Sequence, residues 1–294
     1  MAHVAFLGLG RMGHGMAGRY LDAGFTLAVW NRRKSKAADL IARGARWAAS
    51  PAEAADGADA VVTMVADDEA SRAVWLGKDG AAGAAKAGTL AIECSTVSHG
   101  HALDLARELR GRGLVYIDSP VTGLPDAAAA GKLTLLVGAE PADLDAARPY
   151  LAPLSTTVRH FGAVGTGTVY KLINNLMGAI QIAGIAEGLA MAEQAGLDMK
   201  LVLEAIETGV AASPQVIRHS KRMVARNFSG AVFTAALRHK DAVYAVALAE
   251  SLLSDVPLMG RAAVQTYARA KAHAPDDDEG KMIEIASRAR GAAT

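Results

Sequence analysis

Short apolar runs that end at a glycine alternate with longer amphipathic segments in the first half of the chain. The run from Val4 to Leu7 stops at Gly8, as is typical of a buried parallel strand. Helical spacing follows over residues 12–23 and again over 36–43. Similar apolar runs predict further strands at 25–30, 60–65, 89–92, 115–117 and 133–138. Repeated strand–helix units of this kind predict a parallel sheet with helices on both faces.

After about residue 163, long segments with helical spacing replace the strand runs. The longest covers residues 168–195 and would extend ~42 Å at ~1.5 Å per residue, so we expect it to bridge two domains or to pack against another subunit. Further helices are predicted at 198–208, 213–225, 234–253 and 257–272. We therefore predict an α/β chain with a doubly wound parallel sheet over 1–163. An all-helical domain over 164–294 follows it.

Composition excludes several classes of protein. Of the 294 residues 51% are hydrophobic, so the chain is not wholly disordered. With 31 basic and 30 acidic residues it is not a basic nucleic-acid-binding body. Its one cysteine, Cys94, allows neither an intramolecular disulfide nor a cysteine-based zinc site, and we expect a reducing, cytoplasmic location. The longest mid-chain apolar stretch, Leu176 to Ala186, is shorter than the ~20 residues of a bilayer span. We therefore expect no membrane partner and no targeting segment.

A G-x-G-x-x-G motif directly follows the first predicted strand and opens the first helix. It consists of Gly8, Gly10 and Gly13, with Arg11 and Met12 between the last two. In this context the motif is a dinucleotide fingerprint, because its glycines permit a tight turn and let the backbone approach a pyrophosphate. The N-terminus of the helix then stabilises the phosphate charge.

The end of the second predicted strand indicates which dinucleotide binds. NAD-preferring sites carry an acidic residue ~20 residues past the glycines, where it binds the ribose 2′-hydroxyl. This chain has Asn31 there, followed by Arg32 and Arg33, with Lys34 and Lys36 close by. A carboxylate would repel a 2′-phosphate, whereas guanidinium groups bind it through charge-assisted hydrogen bonds. We therefore predict NADP(H) as the cofactor, and the structural alternative is a solvated basic turn.

A lysine and two amides in the second half have a spacing that suits proton transfer. Lys171 and Asn175 are four residues apart and so share one helix face, and Asn174 is adjacent. Exchange of hydride at a carbon requires a partner that exchanges a proton at the oxygen, and a lysine does this once burial or a nearby cation lowers its pKa. Lys240 is a candidate for that cation.

Four separated stretches resemble one family, the β-hydroxyacid dehydrogenases, which include 3-hydroxyisobutyrate dehydrogenase and glyoxylate/succinic semialdehyde reductases. The stretches are GLGRMGHGMA at 8–17, DSPVTG at 118–123, GTG with KLINN at 165–175, and F-x3-L-x2-K-D at 233–241. Their order and spacing match the family across nearly the whole chain. The resemblance implies that residues 1–163 form an NADP(H)-binding Rossmann domain like that of 6-phosphogluconate dehydrogenase. It also implies that the helical domain 164–294 serves substrate binding and dimerisation, in a homodimer or tetramer.

The resemblance also implies a role for individual residues. Lys171 resembles the family's general acid/base, and Asn175 would orient the lysine and the substrate beside Asn174. Thr122 and Gly123 would bind the carboxylate of a small substrate. Lys240 would lie near the nicotinamide and the substrate, with Asp241 fixing the local structure. Contacts to the cofactor would come from Val65 and Ala66 on the adenosine side and Thr96 beside the nicotinamide ribose.

One position departs from the family pattern and leaves the substrate open. Leu124 stands where the family has a second glycine, and Pro125 removes a backbone donor, so the loop offers fewer N–H groups to a carboxylate. We predict an oxidoreductase for a small 3-hydroxy acid or its semialdehyde or keto form. The alternatives are an imine reductase, against which Lys171 argues, and a non-catalytic NADP(H)-binding scaffold. We predict no metal site.

Overall fold

The computed structural model describes residues 2–230 and 233–287 and divides into two compact units, 1–171 and 172–294. We predicted the domain boundary between residues 163 and 164, whereas the division of the structure falls inside the long helix, after Lys171. Each unit has its own hydrophobic core.

The first unit is built on a nine-stranded sheet. Its strands are β1 His3–Leu7, β2 Thr26–Trp30, β3 Arg46–Trp47, β4 Ala60–Thr63, β5 Leu90–Glu93, β6 Val115–Asp118, β7 Val121–Thr122, β8 Leu133–Gly138 and β9 Ser155–Gly162. Six of them pair in parallel in the order β3-β2-β1-β4-β5-β6. This order reverses direction between β1 and β4, which in a doubly wound sheet opens a crevice at the carboxyl ends of those strands.

The far edge of the sheet is mixed rather than parallel. Strand β8 pairs antiparallel with β6 and β7 and parallel with β9. Only the ten residues 123–132 separate β7 from β8, fewer than the dozen or more that a crossover between parallel neighbours needs. The prediction of a parallel sheet therefore holds for its six-stranded part, and the last three strands are a correction.

Helices cover both faces of this sheet, as predicted. They are α1 Gly13–Asp22, α2 Ala38–Ala42, α3 Pro51–Ala55, α4 Asp68–Leu76, α5 His99–Arg110, α6 Pro125–Ala129 and α7 Pro141–Leu151. Alternate residues of β1 enter different cores, Val4 and Phe6 on one face and Ala5 and Leu7 on the other. The near-continuous apolar composition of these strands follows from this burial on both sides.

The second unit is helical in the residues that the structure describes. Its helices are the remainder of α8 Thr166–Gln194, then α9 Met199–Thr208, α10 Pro214–Val224, α11 Ala235–Leu252, α12 Leu258–His273 and α13 Met282–Ala286. The predicted helices match α8 to α12 to within one or two residues at each end. Caps explain the sharp starts, because Asp198, Ser213 and Thr234 each accept a backbone N–H from the first turn.

Helix α8 has 29 residues and is apolar around much of its circumference. By length and composition alone it would suit a membrane span, although half of that window is buried within the structure, and core helices share this property. Three exposed apolar side chains, Ile173, Met177 and Met191, lie along one stripe of it. A homodimer or tetramer would bury such a stripe, and this oligomeric state stays a prediction.

Candidate active site

The turn after β1 is shaped by two close backbone approaches. Gly8 has φ +102°, and a Cβ there would collide with the carbonyl oxygen of Met64. A Cβ on Gly13 would collide with the Gly8 oxygen, whereas the space around Gly10 is open. The turn therefore accepts only glycine at its two packed positions and leaves one face free for a ligand. Such a cradle at the N-terminus of α1 fits a dinucleotide pyrophosphate.

Beside this turn an open groove of about 1030 Å³ contains most of the residues predicted to select the cofactor. Its lining includes Gly10 and four exposed cations, Arg11, Arg32, Arg33 and Lys36. Lys34 is not among the lining residues and instead lies over the ring of Trp47. The groove is therefore strongly basic and suits an anionic group.

Asn31 holds the two halves of this groove together. Its Oδ1 accepts the backbone N–H of Leu9 at 3.1 Å, and its Nδ2 donates to the carbonyl of Arg33 at 3.1 Å. Asn31 thus fixes the glycine turn to the basic loop and contributes no negative charge to the groove. One carboxylate does line it, Asp39, which pairs with His14 at 2.7 Å. That hydrogen bond from His14 lowers the pKa of Asp39.

Hydrogen bonds connect the loops after β4 and β5. Ser95 Oγ accepts the backbone N–H of Val65 at 2.8 Å. Three residues further on, the backbone N–H and hydroxyl of Ser98 both donate to Asp68, at 2.8 and 2.6 Å. These two ties bring the predicted cofactor residues Val65 and Ala66 onto the same edge of the sheet as Thr96.

A buried carboxylate, Glu93, supports these loops from beneath. It ends β5 and accepts the backbone N–H of Ser95 at 2.9 Å, the Ser71 hydroxyl at 2.6 Å and the Trp75 indole N–H at 3.1 Å. His101 in turn contacts the Ser71 hydroxyl at 3.0 Å. Glu93 is fully buried, and a buried charge is stable only when it is hydrogen-bonded in this way. The network therefore fixes the loop that carries Ser95 and Thr96.

Asp118 occupies the equivalent position on the next strand, in register with Glu93. Its carboxylate accepts the backbone N–H of Gly165 at 2.6 Å and that of Thr168 at 2.7 Å, which are groups at the start of helix α8. The Thr168 hydroxyl also donates to it, at 3.1 Å. Burial nevertheless raises the pKa of Asp118 to about 6.

Lys171 is held to the predicted substrate loop. Its Nζ donates to the carbonyl oxygen of Val121 at 2.8 Å. Val121 and Thr122 form the short strand β7, and Gly123 follows with φ +138°. The first unit therefore brings Lys171 onto the segment that also carries Thr122 and Gly123.

Leu124 does not require the conformational freedom of the glycine that it replaces. Its φ is −102° at the N-cap position of α6, and Pro125 begins that helix. The Leu124 side chain is 40% exposed. The loop therefore presents an apolar side chain beside Thr122 and Gly123, and Pro125 offers no donor.

In the second unit Asn175 is buried and fully engaged. Its Nδ2 donates to Asp241 at 2.6 Å, and its Oδ1 accepts from the side chain of Asn174 at 3.1 Å. Lys240 pairs with the other oxygen of Asp241 at 2.9 Å and lies over the ring of Tyr244. Asp241 thus connects Asn175 and Lys240, which accounts for the structural role that we predicted for it.

Next to the contacts among Asn175, Asp241 and Lys240 lies a buried ion pair that the sequence did not indicate. Arg238 binds Glu279 with two hydrogen bonds, at 2.6 and 3.0 Å, and donates to the backbone carbonyl of Asn175 at 3.2 Å. His219 is buried beside Glu279, and burial and the neighbouring Arg218 lower the pKa of His219 to about 3. The imidazole is therefore neutral and lies between Glu279 and Arg218.

The remaining candidates from the sequence are structural. Cys94 is fully buried, and burial raises the pKa of its thiol. Asp67 caps α4 through the N–H of Ala70. His99 and His101 lie in the first turn of α5, which Ser98 caps. Within residues 2–230 and 233–287, no cluster of His, Cys, Asp or Glu could hold a metal ion.

Two models of known protein families match the chain. Residues 3–162 match the family model of the NAD binding domain of 6-phosphogluconate dehydrogenase. Residues 165–286 match that of the NAD-binding domain of NADP-dependent 3-hydroxyisobutyrate dehydrogenase. Together the two matches cover nearly all of the chain.

Individual relatives differ in cofactor and substrate. An NAD-dependent L-serine dehydrogenase of Pseudomonas aeruginosa is 34% identical over 91% of each chain. The structure of Mycobacterium tuberculosis 3-hydroxyisobutyrate dehydrogenase with L-serine is 30% identical, with a TM-score of 0.87 over 97% of this chain and 99% of that one. A Streptomyces aurantiacus imine reductase is 24% identical, with a TM-score of 0.65 over 97% of this chain and 100% of that one, which shows a shared fold alone.

Proposed function

The chain belongs to the β-hydroxyacid dehydrogenase family, whose members are NAD(P)-dependent oxidoreductases, and we propose that it interconverts a small 3-hydroxy acid and its oxo form with NADP(H). The observation that carries the proposal is the anchorage of Lys171 on the Val121 carbonyl, beside Thr122 and Gly123. A lysine held at a loop that also carries a hydroxyl and a glycine N–H suits a substrate with both a hydroxyl and a carboxylate.

In this proposal the chain supplies the proton chemistry and the bound dinucleotide accepts or donates the hydride. Lys171 Nζ, as a neutral amine, takes the proton of the substrate hydroxyl during oxidation and returns it to the carbonyl oxygen during reduction. Thr122 and Gly123 bind the carboxylate through the hydroxyl and the backbone N–H. Orientation of the hydroxyl carbon by this loop supplies much of the rate.

NADP(H) rather than NAD(H) is the finer part of the proposal. Four exposed cations line the groove, and the residue at the usual acidic position is Asn31, which is engaged with the backbone. Guanidinium groups bind a 2′-phosphate with paired, charge-assisted hydrogen bonds. The NAD-dependent relative makes NAD(H) the competing assignment.

The substrate class rests on the loop and on the relatives. L-Serine and 3-hydroxyisobutyrate, which appear in the names of two relatives, are both 3-hydroxy acids. Leu124 adds an exposed apolar side chain to the loop, so we expect a substrate with an apolar rather than a cationic substituent at C2. A buried or loop-restricted apolar contact discriminates one methylene by ~10- to 200-fold.

A substrate screen tests the proposal. The purified protein is assayed with NADPH and with NADH against short semialdehydes, 2-keto acids and cyclic imines, and with NADP+ against serine and 3-hydroxyisobutyrate. Turnover of a semialdehyde or a 3-hydroxy acid with a preference for NADP(H) is expected. Turnover of cyclic imines alone would identify an imine reductase. Dinucleotide binding without turnover of any substrate would identify a non-catalytic protein.

A further inference from the structure

We propose that Asp118 is a positioning residue for Lys171, whose place it sets by fixing the first turn of helix α8 to the strand that leads into the substrate loop. The proposal rests on the proposed function for the role of Lys171, and on the first unit alone for its geometry.

The carboxylate of Asp118 caps the helix from another element. Oδ1 accepts the N–H of Gly165 at 2.6 Å, and Oδ2 accepts both the N–H of Thr168 at 2.7 Å and its hydroxyl at 3.1 Å. The first N–H groups of a helix have no partner inside the helix. Capping residues usually precede their helix directly, whereas Asp118 is 47 residues away from Gly165 in sequence. The cap therefore ties the helix to strand β6.

Close packing removes any freedom at this joint. A Cβ on Gly167 would collide with the carbonyl oxygen of Leu136, and one on Gly138 would collide with the Asp118 carboxylate. The backbone of β8 thus lies directly against the start of the helix. Thr168 is 1% exposed. The helix start has no room to slide or rotate while the carboxylate bonds remain.

The same short segment holds the helix at a second point. Three residues after Asp118, the carbonyl of Val121 accepts the Nζ of Lys171 at 2.8 Å. Thr168 and Lys171 are likewise three residues apart, so they lie about one turn apart on the helix. The segment 118–121 and the helix segment 168–171 therefore contact each other at both ends. Thr122 and Gly123 follow immediately, so this contact fixes the distance from the amine to the carboxylate-binding residues.

The burial of Asp118 is costly for an ionised group. Its pKa is raised to about 6 by burial although three hydrogen bonds favour the charged form. Asparagine caps an ordinary helix about as well as aspartate, but it has a single acceptor oxygen, whereas both oxygens of Asp118 accept backbone N–H groups here. Costly groups that remain in a protein are concentrated at functional sites, which agrees with a role in placing Lys171.

Two pairs of variants test the role. Asp118→Asn replaces one acceptor oxygen by an NH₂ group that faces N–H donors, and Thr168→Val removes only the hydroxyl. Thr168→Ser retains the hydroxyl and serves as the conservative rescue. Asp198→Asn is the matched control, because Asp198 caps α9 through the N–H of Lys200 in the second unit.

The first measurement needs neither substrate nor cofactor. The apo protein is treated with limiting acetic anhydride, and acetylation of Lys171 is compared by mass spectrometry with that of Lys78, which is exposed. Release of Nζ from the Val121 carbonyl should raise the relative rate at Lys171 at least ~3-fold in Asp118→Asn and less in Thr168→Val. Thr168→Ser and Asp198→Asn should match the wild type.

The second measurement uses the substrate found in the screen. We expect kcat to fall ~10- to 100-fold in Asp118→Asn with little change in the Kd of NADPH, since a ~1 Å misplacement of a reacting group costs about 10²-fold. Unchanged acetylation of Lys171 in both Asp118→Asn and Thr168→Val would overturn the proposal, whatever their activity. If Asp118→Asn does not fold, the comparison of Thr168→Val with Thr168→Ser decides. Failure of the screen would remove the proposed function and leave the acetylation result standing.

Discussion

In the first unit, charged side chains have two contrasting roles at the carboxyl ends of the strands. Toward β2 the charges are exposed cations, Arg11, Arg32, Arg33 and Lys36, in an open groove. Toward β5 and β6 they are two buried carboxylates, Glu93 and Asp118, that end neighbouring strands in register and bind backbone N–H groups. The cations face solvent and are available to a ligand, whereas the carboxylates accept hydrogen bonds from other groups inside the protein.

The difference indicates a division of tasks. Exposed arginines keep their hydration and their mobility, so they recognise a phosphate at low cost and can be exchanged without loss of the fold. Buried carboxylates cannot be exchanged so easily, because removal of an acceptor leaves buried donors without a partner. We therefore expect variants in the groove to change which cofactor binds and variants around the carboxylates to change how the loops and Lys171 are placed.

The largest effect is expected at Lys171, the residue that we propose Asp118 positions. Lys171→Ala should lower kcat by ~10²- to 10⁴-fold, the usual contribution of a general acid or base, without a change in the Kd of NADPH or in Tm. Lys171→Arg should be nearly as inactive, because a guanidinium does not readily give up its proton. Steady-state kinetics with the substrate from the screen measures both, and Lys78→Ala is the control.

The rival explanation for Lys171 is electrostatic anchorage of the substrate carboxylate. In that case Lys171→Arg would retain most of the activity, and the loss in Lys171→Ala would appear in KM rather than in kcat. A near-normal kcat of Lys171→Ala would end the assignment as acid/base.

The groove should give the next largest effect, confined to one cofactor. Loss of a charge-assisted contact costs ~1.5–3 kcal/mol, so Arg32→Ala combined with Arg33→Ala should raise the Kd of NADPH by ~10- to 150-fold. NADH lacks the 2′-phosphate, and its Kd should hardly change. Fluorescence titration measures both constants. Arg46→Ala, which removes an exposed arginine paired with Glu53 outside the groove, is the control.

Equal weakening of both cofactors in the double variant, or a wild-type preference for NADH, would contradict the assignment of the groove to a 2′-phosphate. The exposed cations of the groove would then have no role in selecting the cofactor.

Much of this contrast was predictable, and the reason lies in sequence distance. The groove comes from two contiguous stretches, 8–13 and 31–36, whose residue types state their chemistry directly. Lys171 and Asn175 are one helix turn apart within a contiguous stretch, 165–175, that resembles a family motif. Local spacing also placed helices α8 to α12, since capping residues and glycines mark their ends.

The contacts of the buried carboxylates Glu93 and Asp118 were not predictable in the same way. Glu93 meets Ser71 and Trp75 across about 20 residues, and Asp118 meets Gly165 across 47. No local pattern shows which donors a buried carboxylate will accept. The same holds for Arg238 and Glu279, 41 residues apart. Two strands of the mixed edge, β7 and β9, were not predicted because they lack a continuous apolar run: β7 has only two residues, and β9 reads STTVRHFG.

Glu93 provides a direct test of the division of tasks. Glu93→Gln keeps the shape of the side chain but replaces one acceptor by a donor facing the Ser71 hydroxyl, the Trp75 N–H or the Ser95 N–H. We expect the Kd of NADPH and of NADH to rise together by about 10-fold, because ~1.4 kcal/mol is the lower range for a hydrogen bond to a charged group. Titration with both cofactors measures this, with Glu140→Gln, an exposed glutamate, as the control. A selective loss of NADPH would contradict a role for Glu93 in fixing the loops.

The smallest effect is one of stability, and it has opposite signs on the two sides. Burial raises the pKa of Asp118 to about 6, so the folded protein binds this proton more tightly than the unfolded chain does. The resulting stabilisation is complete below pH ~4, the usual aspartate range, and is lost as the pH rises through about 6. Asp118→Asn has no such proton, so the Tm of the wild type relative to this variant should fall by a few degrees between pH 4 and pH 7.

Asp39 in the groove should behave in the reverse manner. His14 lowers its pKa, so its contribution to stability is present above the usual aspartate pKa and is lost only as the pH falls through the lowered value. The Tm of the wild type relative to Asp39→Asn should therefore fall as the pH is lowered below about 4, the opposite direction to the Asp118 pair. In each pair all other ionisable groups are present in both proteins, so the Tm difference reports on the substituted carboxyl. Calorimetry at several pH values measures both pairs. If the Tm difference between the wild type and Asp118→Asn does not change with pH, burial does not raise the pKa of this carboxyl. The exposed cations and the buried carboxylates would then differ in exposure alone.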